Sequence, residues 1–367
     1  MRFYYVPRTR WLWLETIWPP SYLWTYQVQW QRAAYRLAAQ LHGEVEFDLA
    51  HQLTYVGFRN PGYLWKLEMP LVWGPIGGLE NTPWRWLPAL GWHGAVYYAG
   101  RNVVNAVHKR LLASPRRAFR KARGGIIAAT EGIRREILRC YGEQSEVISE
   151  IGPPHVTPGV PLPRRPGEPL RLAWSGHHEA GKALPLLLQA VAKLPSELPW
   201  SLDILGRGPC MKSWQRLSGR LGLDGRCRWH GWLARGEAVS IVRRSHVFVI
   251  TSMKDLTSTV LLEALAQGVP VICPDHCGFS NVVNDDCGIK VPIRHPRQFQ
   301  GDLGRAVLRL ADDEPERLRL AAGALRRIGE FSWERKAAMV DKIYRRVTTR
   351  TTAEGSEVPP ACAKTYH

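Results

Sequence analysis

Three things that the sequence has little of limit what this chain can be. It has no run of about 18 uncharged apolar residues, because even the stretch 86–99 is interrupted by His93, so no transmembrane helix is expected. The apolar residues 11–14 are followed by Glu15 and by Pro19 and Pro20, so no secretory leader is expected. The seven cysteines form no disulfide framework and no paired C-x-x-C sets, which favours a reducing cytosol and predicts no metal site.

Acidic residues are also scarce, because 32 Asp and Glu stand against 50 Lys and Arg, giving a net charge of +18. Such an excess indicates an anionic partner, which can be a membrane surface, a nucleic acid or a phosphorylated substrate. A basic cluster between 101 and 123 contains no acid, and it comprises Arg101, Lys109, Arg110, Arg116, Arg117, Arg120, Lys121 and Arg123. Each such charge contributes about 1 kcal/mol near an anionic leaflet. The cluster therefore favours a cytoplasmic protein at the inner face of the membrane. No helix-turn-helix, zinc-finger or RNA-binding signature accompanies the charge, so we expect no nucleic-acid binding.

The length of 367 residues exceeds one ordinary core and predicts two domains. Seven prolines from 153 to 169 rule out a helix interior or central strand there, so we place a linker at 153–169. The first domain then spans 1–152 and the second 170–330. The polar tail from 348 to 367 is expected to be disordered.

Aromatic residues are concentrated at the start, where Trp11, Trp13, Trp18, Trp24 and Trp30 alternate with Tyr22 and Tyr26. Tryptophan and tyrosine suit the headgroup region of a bilayer. A helix core beneath a second domain explains them nearly as well, and both interpretations stay open.

The stretch 246–272 organises the rest of the chain. An apolar run ends in small polar residues, Ser258 and Thr259 are candidate N-caps, and Gly268 ends the helix before the next apolar run. This pattern predicts a strand, a loop, a helix and a parallel strand, and ligands bind at the carboxyl ends of such strands. The first N–H groups of the helix, at Ser258, Thr259 and Val260, suit a diphosphate, and Glu263 suits the ribose of a nucleotide. The alternative is an ordinary segment with two surface acids.

Other predicted strands end at candidate site residues. Gly176 and Gly206 follow two apolar runs, and Lys182 follows Gly176 in the same loop. The strand predicted at 47–51 ends in His51, a candidate site residue, although a lone histidine is more often a structural hydrogen bonder. A glycine-rich loop at 74–80 lets the backbone approach a ligand or a facing domain closely.

The spacing of Asp255 and Glu263, with the ending Glu-Ala-Leu-Ala-Gln-Gly-Val-Pro-Val, resembles the donor site of retaining glycosyltransferases of the large group often called family 4. The resemblance covers about residues 27–347. It implies an α/β chain of GT-B architecture, in which two Rossmann-like domains face a cleft, and a last helix, here 331–347, that crosses back to the first domain. Members usually begin with a first strand and a glycine-rich loop that this sequence does not show, so the first domain is expected to be shortened.

The resemblance also implies residue roles. Glu263 would hold the ribose, the amides of 258–260 and Lys182 the diphosphate, and Asp255 the transferred sugar. His177 stands where the family usually has Arg. Leu256 and Ser258 replace glycines of the motif, which blurs the contact to the sugar, and Asn281 replaces a Glu of a later loop.

The expected activity is therefore transfer of a sugar from a nucleotide-sugar donor, with retention, to a saccharide or lipid-linked acceptor. No cofactor and no metal are expected. The alternatives are a non-catalytic, membrane-associated protein that binds nucleotide sugars and a GT-B epimerase or phosphorylase.

Overall fold

The structure is a computed structural model that describes residues 1–7, 25–53, 57–153 and 157–356. Most of the tryptophan-rich segment therefore lies outside the described residues. The described chain builds two separate sheets, each of which is parallel in all its pairings.

The first sheet has four strands in the order β1-β2-β3-β4. These strands are β1 (Ala50–Gln52), β2 (Leu71–Ile76), β3 (Ile126–Ala128) and β4 (Glu146–Val147). The helices of this part are α1 (Gln31–Val45), α2 (Gly91–Leu111), α3 (Ala113–Lys121) and α4 (Glu131–Tyr141). Helix α4 begins at Glu131 because the Thr130 hydroxyl accepts a hydrogen bond from the Ile133 N–H, as an N-cap should.

The second sheet has six strands in the order β10-β9-β8-β5-β6-β7. They are β5 (Leu170–Ser175), β6 (Trp200–Leu205), β7 (Cys227–Gly231), β8 (Val247–Val249), β9 (Val271–Pro274) and β10 (Gly288–Val291). Chain order runs outward in both directions from the β5–β8 pair, so the topological switch point lies between these two strands. In open α/β sheets this is where ligands bind.

Helices cover both faces of the second sheet, which explains its nearly continuous apolar strands. They are α5 (Leu184–Val191), α6 (Met211–Arg220), α7 (Arg235–Arg243), α8 (Thr259–Ala266), α9 (Phe279–Val282), α10 (Pro296–Asp312) and α11 (Glu314–Ile328). In the described part of the chain no helix is both long enough and apolar enough to span a membrane.

Two segments tie the first sheet to the second part of the chain. A 3₁₀ turn at Trp84–Leu90 inserts Trp86 beside Phe299 of α10, with ring centres 5.2 Å apart. The last helix, α12 (Trp333–Ser356), packs Ile343 and Val347 against Val72 of the first sheet.

Helix α12 corrects the predicted tail, because it continues beyond 347 to Ser356 instead of giving way to disorder at 348. The threonines that made this stretch look unstructured are accommodated by local hydrogen bonds. The Thr348 hydroxyl donates to the Tyr344 carbonyl and the Thr349 hydroxyl to the Arg345 carbonyl. Residues 357–367 lie outside the described residues.

Candidate functional site

The loops that follow β5 and β8 meet at the switch point and are fixed to each other by backbone contacts. The Thr251 hydroxyl donates to the Lys182 carbonyl at 2.6 Å, and the Met253 N–H donates to the Gly181 carbonyl at 2.8 Å. Thr251 in turn accepts from the indole N–H of Trp174 on β5. These hydrogen bonds hold the main chain of Lys182 in place independently of its side-chain contacts.

The side chains of Lys182 and Asp255 form an ion pair between these loops. Lys182 Nζ lies 2.5 Å from Asp255 Oδ2, and the two side chains are 19% and 21% exposed. Attraction between partly buried charges is screened less than on an open surface. The structure thus brings two of the predicted catalytic residues together at an accessible edge of the sheet.

Helix α8 begins where expected, but Ser258 does not cap it with its hydroxyl. Ser258 has extended backbone angles of φ −87° and ψ 126° and makes no side-chain cap hydrogen bond. Within the described residues, the N–H groups of Ser258, Thr259 and Val260 have no protein acceptor, whereas the preceding N–H, of Thr257, donates to Glu150 Oε1 at 2.9 Å. The helix start therefore keeps donors for an anion.

Glu263, the predicted ribose ligand, lies in the second turn of α8 and is held by a residue that the sequence did not single out. Arg235 Nε donates to Glu263 Oε1 at 2.8 Å. The Glu263 side chain is 11% exposed and that of Arg235 58%. Arg235 is the first residue of α7, and nothing in its sequence surroundings singled it out.

Gly176 and Gly206 lie against each other at the ends of β5 and β6. Gly206 has φ +106°, a conformation that residues with a side chain rarely adopt. A Cβ atom there would also overlap the Gly176 carbonyl. Both predicted glycines thus allow two loops beside the site to approach closely.

The two predicted histidines, His177 and His51, are not brought into contact with the Lys182–Asp255 ion pair. His177 is exposed, and its Nδ1 lies 3.8 Å from Glu179 Oε2. His51 uses both ring nitrogens elsewhere, since Nδ1 lies 2.7 Å from the Tyr344 hydroxyl and Nε2 lies 3.0 Å from the Gly74 carbonyl. Burial lowers the pKa of His51. The alternative given above for His51, a structural hydrogen bonder, describes its contacts.

A cavity of about 310 Å³ opens between the glycine-rich loop of the first part and the Asp255 loop. Its lining includes Gly77, Gly78, Glu80, Lys254 and Asp255. Asp255 therefore lies between the Lys182 loop and the glycine-rich loop of the first part.

Glu80 and Lys254 of this cavity were missed as site residues. Burial raises the pKa of the Glu80 carboxyl and lowers that of the Lys254 ammonium. The Thr130 hydroxyl donates to Glu80 Oε2 at 3.0 Å, and Lys254 Nζ donates to the Glu80 carbonyl. The sequence offered a signal for each: Glu80 ends the glycine-rich loop at 74–80, and Lys254 immediately precedes Asp255. Across the described residues, no three His, Cys, Asp or Glu side chains are grouped to hold a metal ion.

Two parallel sheets, with the candidate site at the switch point of the second, are the arrangement of the GT-B fold. Solved structures with this arrangement include the lipopolysaccharide outer core galactosyltransferase WaaB (TM-score 0.60, 15% identity, 89% of this chain and 80% of that one). Sucrose-phosphate synthase from Thermosynechococcus elongatus gives a TM-score of 0.60 at 17% identity, covering 88% of this chain and 79% of that one. HepE from Anabaena in complex with UDP gives 0.56 at 15%, covering 87% and 82%. At these identities the likeness establishes the fold alone.

The sequence comparisons narrow the class. Residues 163–327 match the family model described as "Glycosyl transferases group 1". A D-inositol 3-phosphate glycosyltransferase of Xylanimonas cellulosilytica is 28% identical over 253 residues, which is 63% of this chain and 59% of the relative. The lipopolysaccharide core biosynthesis glycosyltransferase LpsE of Rhizobium meliloti is 32% identical over 155 residues, 42% of this chain and 43% of the relative. The chain spans just over half the length of the first curated relatives that it matches.

Proposed function

We propose that this chain transfers a sugar from a nucleotide-sugar donor to an acceptor with retention of configuration. The observation that carries the proposal is the arrangement around the switch point. Lys182, Asp255, the open start of α8 and Glu263 follow one another there on loops that hydrogen bonds fix together. A nucleoside diphosphate sugar offers a group for each, namely the diphosphate, the sugar and the ribose. HepE, which shares the fold, is known in complexes with UDP and with UDP-glucose.

In the proposed reaction, negative charge grows on the diphosphate as it leaves the sugar. The Lys182 ammonium and the N–H groups at the start of α8 would stabilise that charge, the kind of electrostatic contribution that is usually the largest in catalysis. No protein nucleophile, cofactor or metal is part of the proposal. Asp255 holds Lys182 near the diphosphate site and would contact the transferred sugar.

The acceptor in this proposal is a saccharide or a lipid-linked sugar, bound on the first-domain side of the cleft. Support comes from the cavity between Glu80 and Asp255, which opens next to the transferred group. The names of two relatives, which act on inositol 3-phosphate and in lipopolysaccharide core synthesis, agree with polar hydroxyl acceptors.

We also propose that the protein works at the inner face of a membrane, in the cytoplasm, through the basic cluster at 101–123. Six of its arginines are exposed: Arg101, Arg110, Arg116, Arg117, Arg120 and Arg123. The proposal keeps the predicted limits of the first domain (1–152), the linker (153–169) and the second domain (170–330).

Donor turnover tests the proposal directly. The protein is incubated with UDP-, GDP- and ADP-sugars, with and without simple sugar acceptors, and diphosphate release is measured beside proton NMR of the sugar formed. The expected result is consumption of one donor class with its anomeric configuration kept. Inversion would contradict the retaining mechanism. Tight donor binding with no transfer to any acceptor would favour the non-catalytic alternative, and a changed sugar still attached to the nucleotide would favour an epimerase.

A further inference from the structure

Helix α2 (Gly91–Leu111) has its polar and apolar faces reversed relative to an ordinary surface helix. Its buried residues recur every three or four positions, as one face of a helix requires, and they are Gly94, Tyr98, Asn102, Asn105 and Lys109. Three of these five are polar. A surface helix normally buries apolar side chains instead.

Specific hydrogen bonds hold this polar face in place. Asn102 accepts from the Thr82 N–H at 3.1 Å and donates to the Thr82 carbonyl at 2.7 Å. Asn105 donates to the Leu79 carbonyl at 3.0 Å, and Lys109 pairs with Glu136. Turning the helix to bury other residues would leave these groups without partners, so its orientation is fixed.

The outward face is apolar along the whole helix. Its exposed large residues are Trp92, Val96, Tyr97, Val103, Val104, Val107 and Leu111. Steps of four and seven residues join 92, 96, 103, 107 and 111, which places them in one stripe interrupted by His93 and Gly100. At 1.5 Å per residue the stripe is about 30 Å long. An exposed apolar surface of this extent marks an interaction site.

The charges beside the stripe indicate what covers it. By the same helical count Arg101 and Arg110 lie at its two edges, and the exposed Arg116, Arg117 and Arg120 of α3 follow. Residues 91–123 contain no Asp or Glu. An exposed apolar helix face with Trp and Tyr, with arginines at both of its edges, has the composition of helices that lie in the headgroup region of anionic bilayers.

We infer that α2 is an interfacial helix, which lies parallel to an anionic membrane with its Trp92–Leu111 stripe among the lipid chains. The inference rests on the membrane contact proposed above and adds to it an apolar part that salt does not screen. It is independent of the proposed glycosyl transfer. The occupant is the lipid surface, and a second copy of this chain is the competing outcome of the test.

Flotation of the full chain with lipid vesicles tests the inference. The phosphatidylcholine vesicles contain or lack phosphatidylglycerol, and each kind is used at low salt and at about 0.5 M salt, where charges are screened within a few ångströms. The variant is Val103→Asp with Val107→Asp, both at exposed positions. The matched control is Leu138→Asp, an equally exposed position on α4. A gain variant, Val103→Phe with Val107→Phe, guards against a loss that comes from misfolding.

We expect the wild type to bind anionic vesicles and to keep measurable binding at high salt. The partition coefficient of the double Asp variant onto the vesicles should be lower by about tenfold or more, a change of at least 1.4 kcal/mol. Leu138→Asp should match the wild type, and the Phe variant should bind more tightly. If the double Asp variant binds like the wild type and salt removes binding from both, the basic cluster alone makes the contact and the inference is overturned. It is also overturned if the wild type is a dimer that the Asp pair dissociates without changing vesicle binding.

Discussion

Lys182 Nζ and Asp255 Oδ2 lie 2.5 Å apart, although the residues are 73 positions apart in the chain. The pair connects the loop after β5 with the loop after β8. Each side chain is the other's counter-charge until an anionic ligand enters, so ligand binding must share or displace the Lys182 contact. The ion pair is thus the point at which the two halves of the candidate site depend on each other.

Replacing Lys182 with Met should therefore reduce donor turnover by about a hundredfold or more, because one stabilising donor for the leaving group is lost. Steady-state diphosphate release with the donor found in the turnover screen measures this. Lys212→Met, at an exposed position on α6, is the control and should leave turnover unchanged. Equal turnover in both variants would remove Lys182 from the reaction.

Gly206→Ala should disturb the site from a distance. The φ of +106° and the overlap with the Gly176 carbonyl force the loops apart, at a cost of about 2 kcal/mol or more in unfolding free energy. Nucleoside diphosphate affinity should fall as well, because Lys182 lies on the displaced loop. Urea unfolding and calorimetric titration check both effects. Gly225→Ala has open space around the new methyl group and should change neither.

Trp86→Ala tests the contact between the first part of the chain and α10. Trp86 is fully buried and its indole N–H donates to the Ile293 carbonyl at 3.3 Å. Its removal should destabilise the fold by about 3–5 kcal/mol. Trp84→Ala, two residues earlier and 55% exposed, should cost less than about 0.5 kcal/mol. Similar melting temperatures for the two variants would mean that the docking contact contributes little.

His246 should make the protein less stable in mild acid. Its burial, and then the charges of Arg171 and Arg317, lower its pKa from 6.5 to about 4. The unfolded chain then binds a proton that the folded chain does not, so unfolding free energy falls as pH falls from about 6.5 to about 4, by a few kcal/mol.

His246→Asn keeps an acceptor for the Arg171 N–H and cannot titrate. Denaturation at a series of pH values should show a smaller loss in this variant. Other groups with lowered pKa values contribute the part that remains, among them His276, whose pKa burial lowers to about 4. An unchanged pH profile would show that His246 does not control acid stability.

Local signals in the sequence predicted much of the second sheet. The apolar run before 251, the helix from Thr259 and the break at Gly268 are all read within about twenty residues, and the helix Glu131–Tyr141 has its cap at Thr130. The candidate residues Gly176, Lys182, Asp255 and Glu263 were found because each follows a strand that is recognisable by its own composition.

What the sequence did not predict depends on contacts between distant segments. The partner of Asp255 is 73 residues away, Arg235 reaches Glu263 from the start of α7, and Trp86 packs on a helix more than two hundred residues later. Helix α2 could not be oriented, because its buried face is polar and the usual rule would turn its valines inward. His51 lies in the middle of β1 (Ala50–Gln52) and not at the end of its strand as predicted, and its partner on α12 is visible only in the fold.

Calorimetric titration with free UDP, GDP and ADP tests the central claim, that a nucleoside diphosphate binds between Lys182 and Glu263, most directly. We expect one of them to bind the wild type. Glu263→Gln should weaken that binding about tenfold to a hundredfold, because charge-assisted hydrogen bonds to the ribose are lost. Asp255→Asn should weaken it far less, since Asp255 is assigned to the sugar. Equal losses in the two variants would contradict the assignment of roles. Failure of all three nucleotides to bind the folded wild type would contradict the nucleotide site itself.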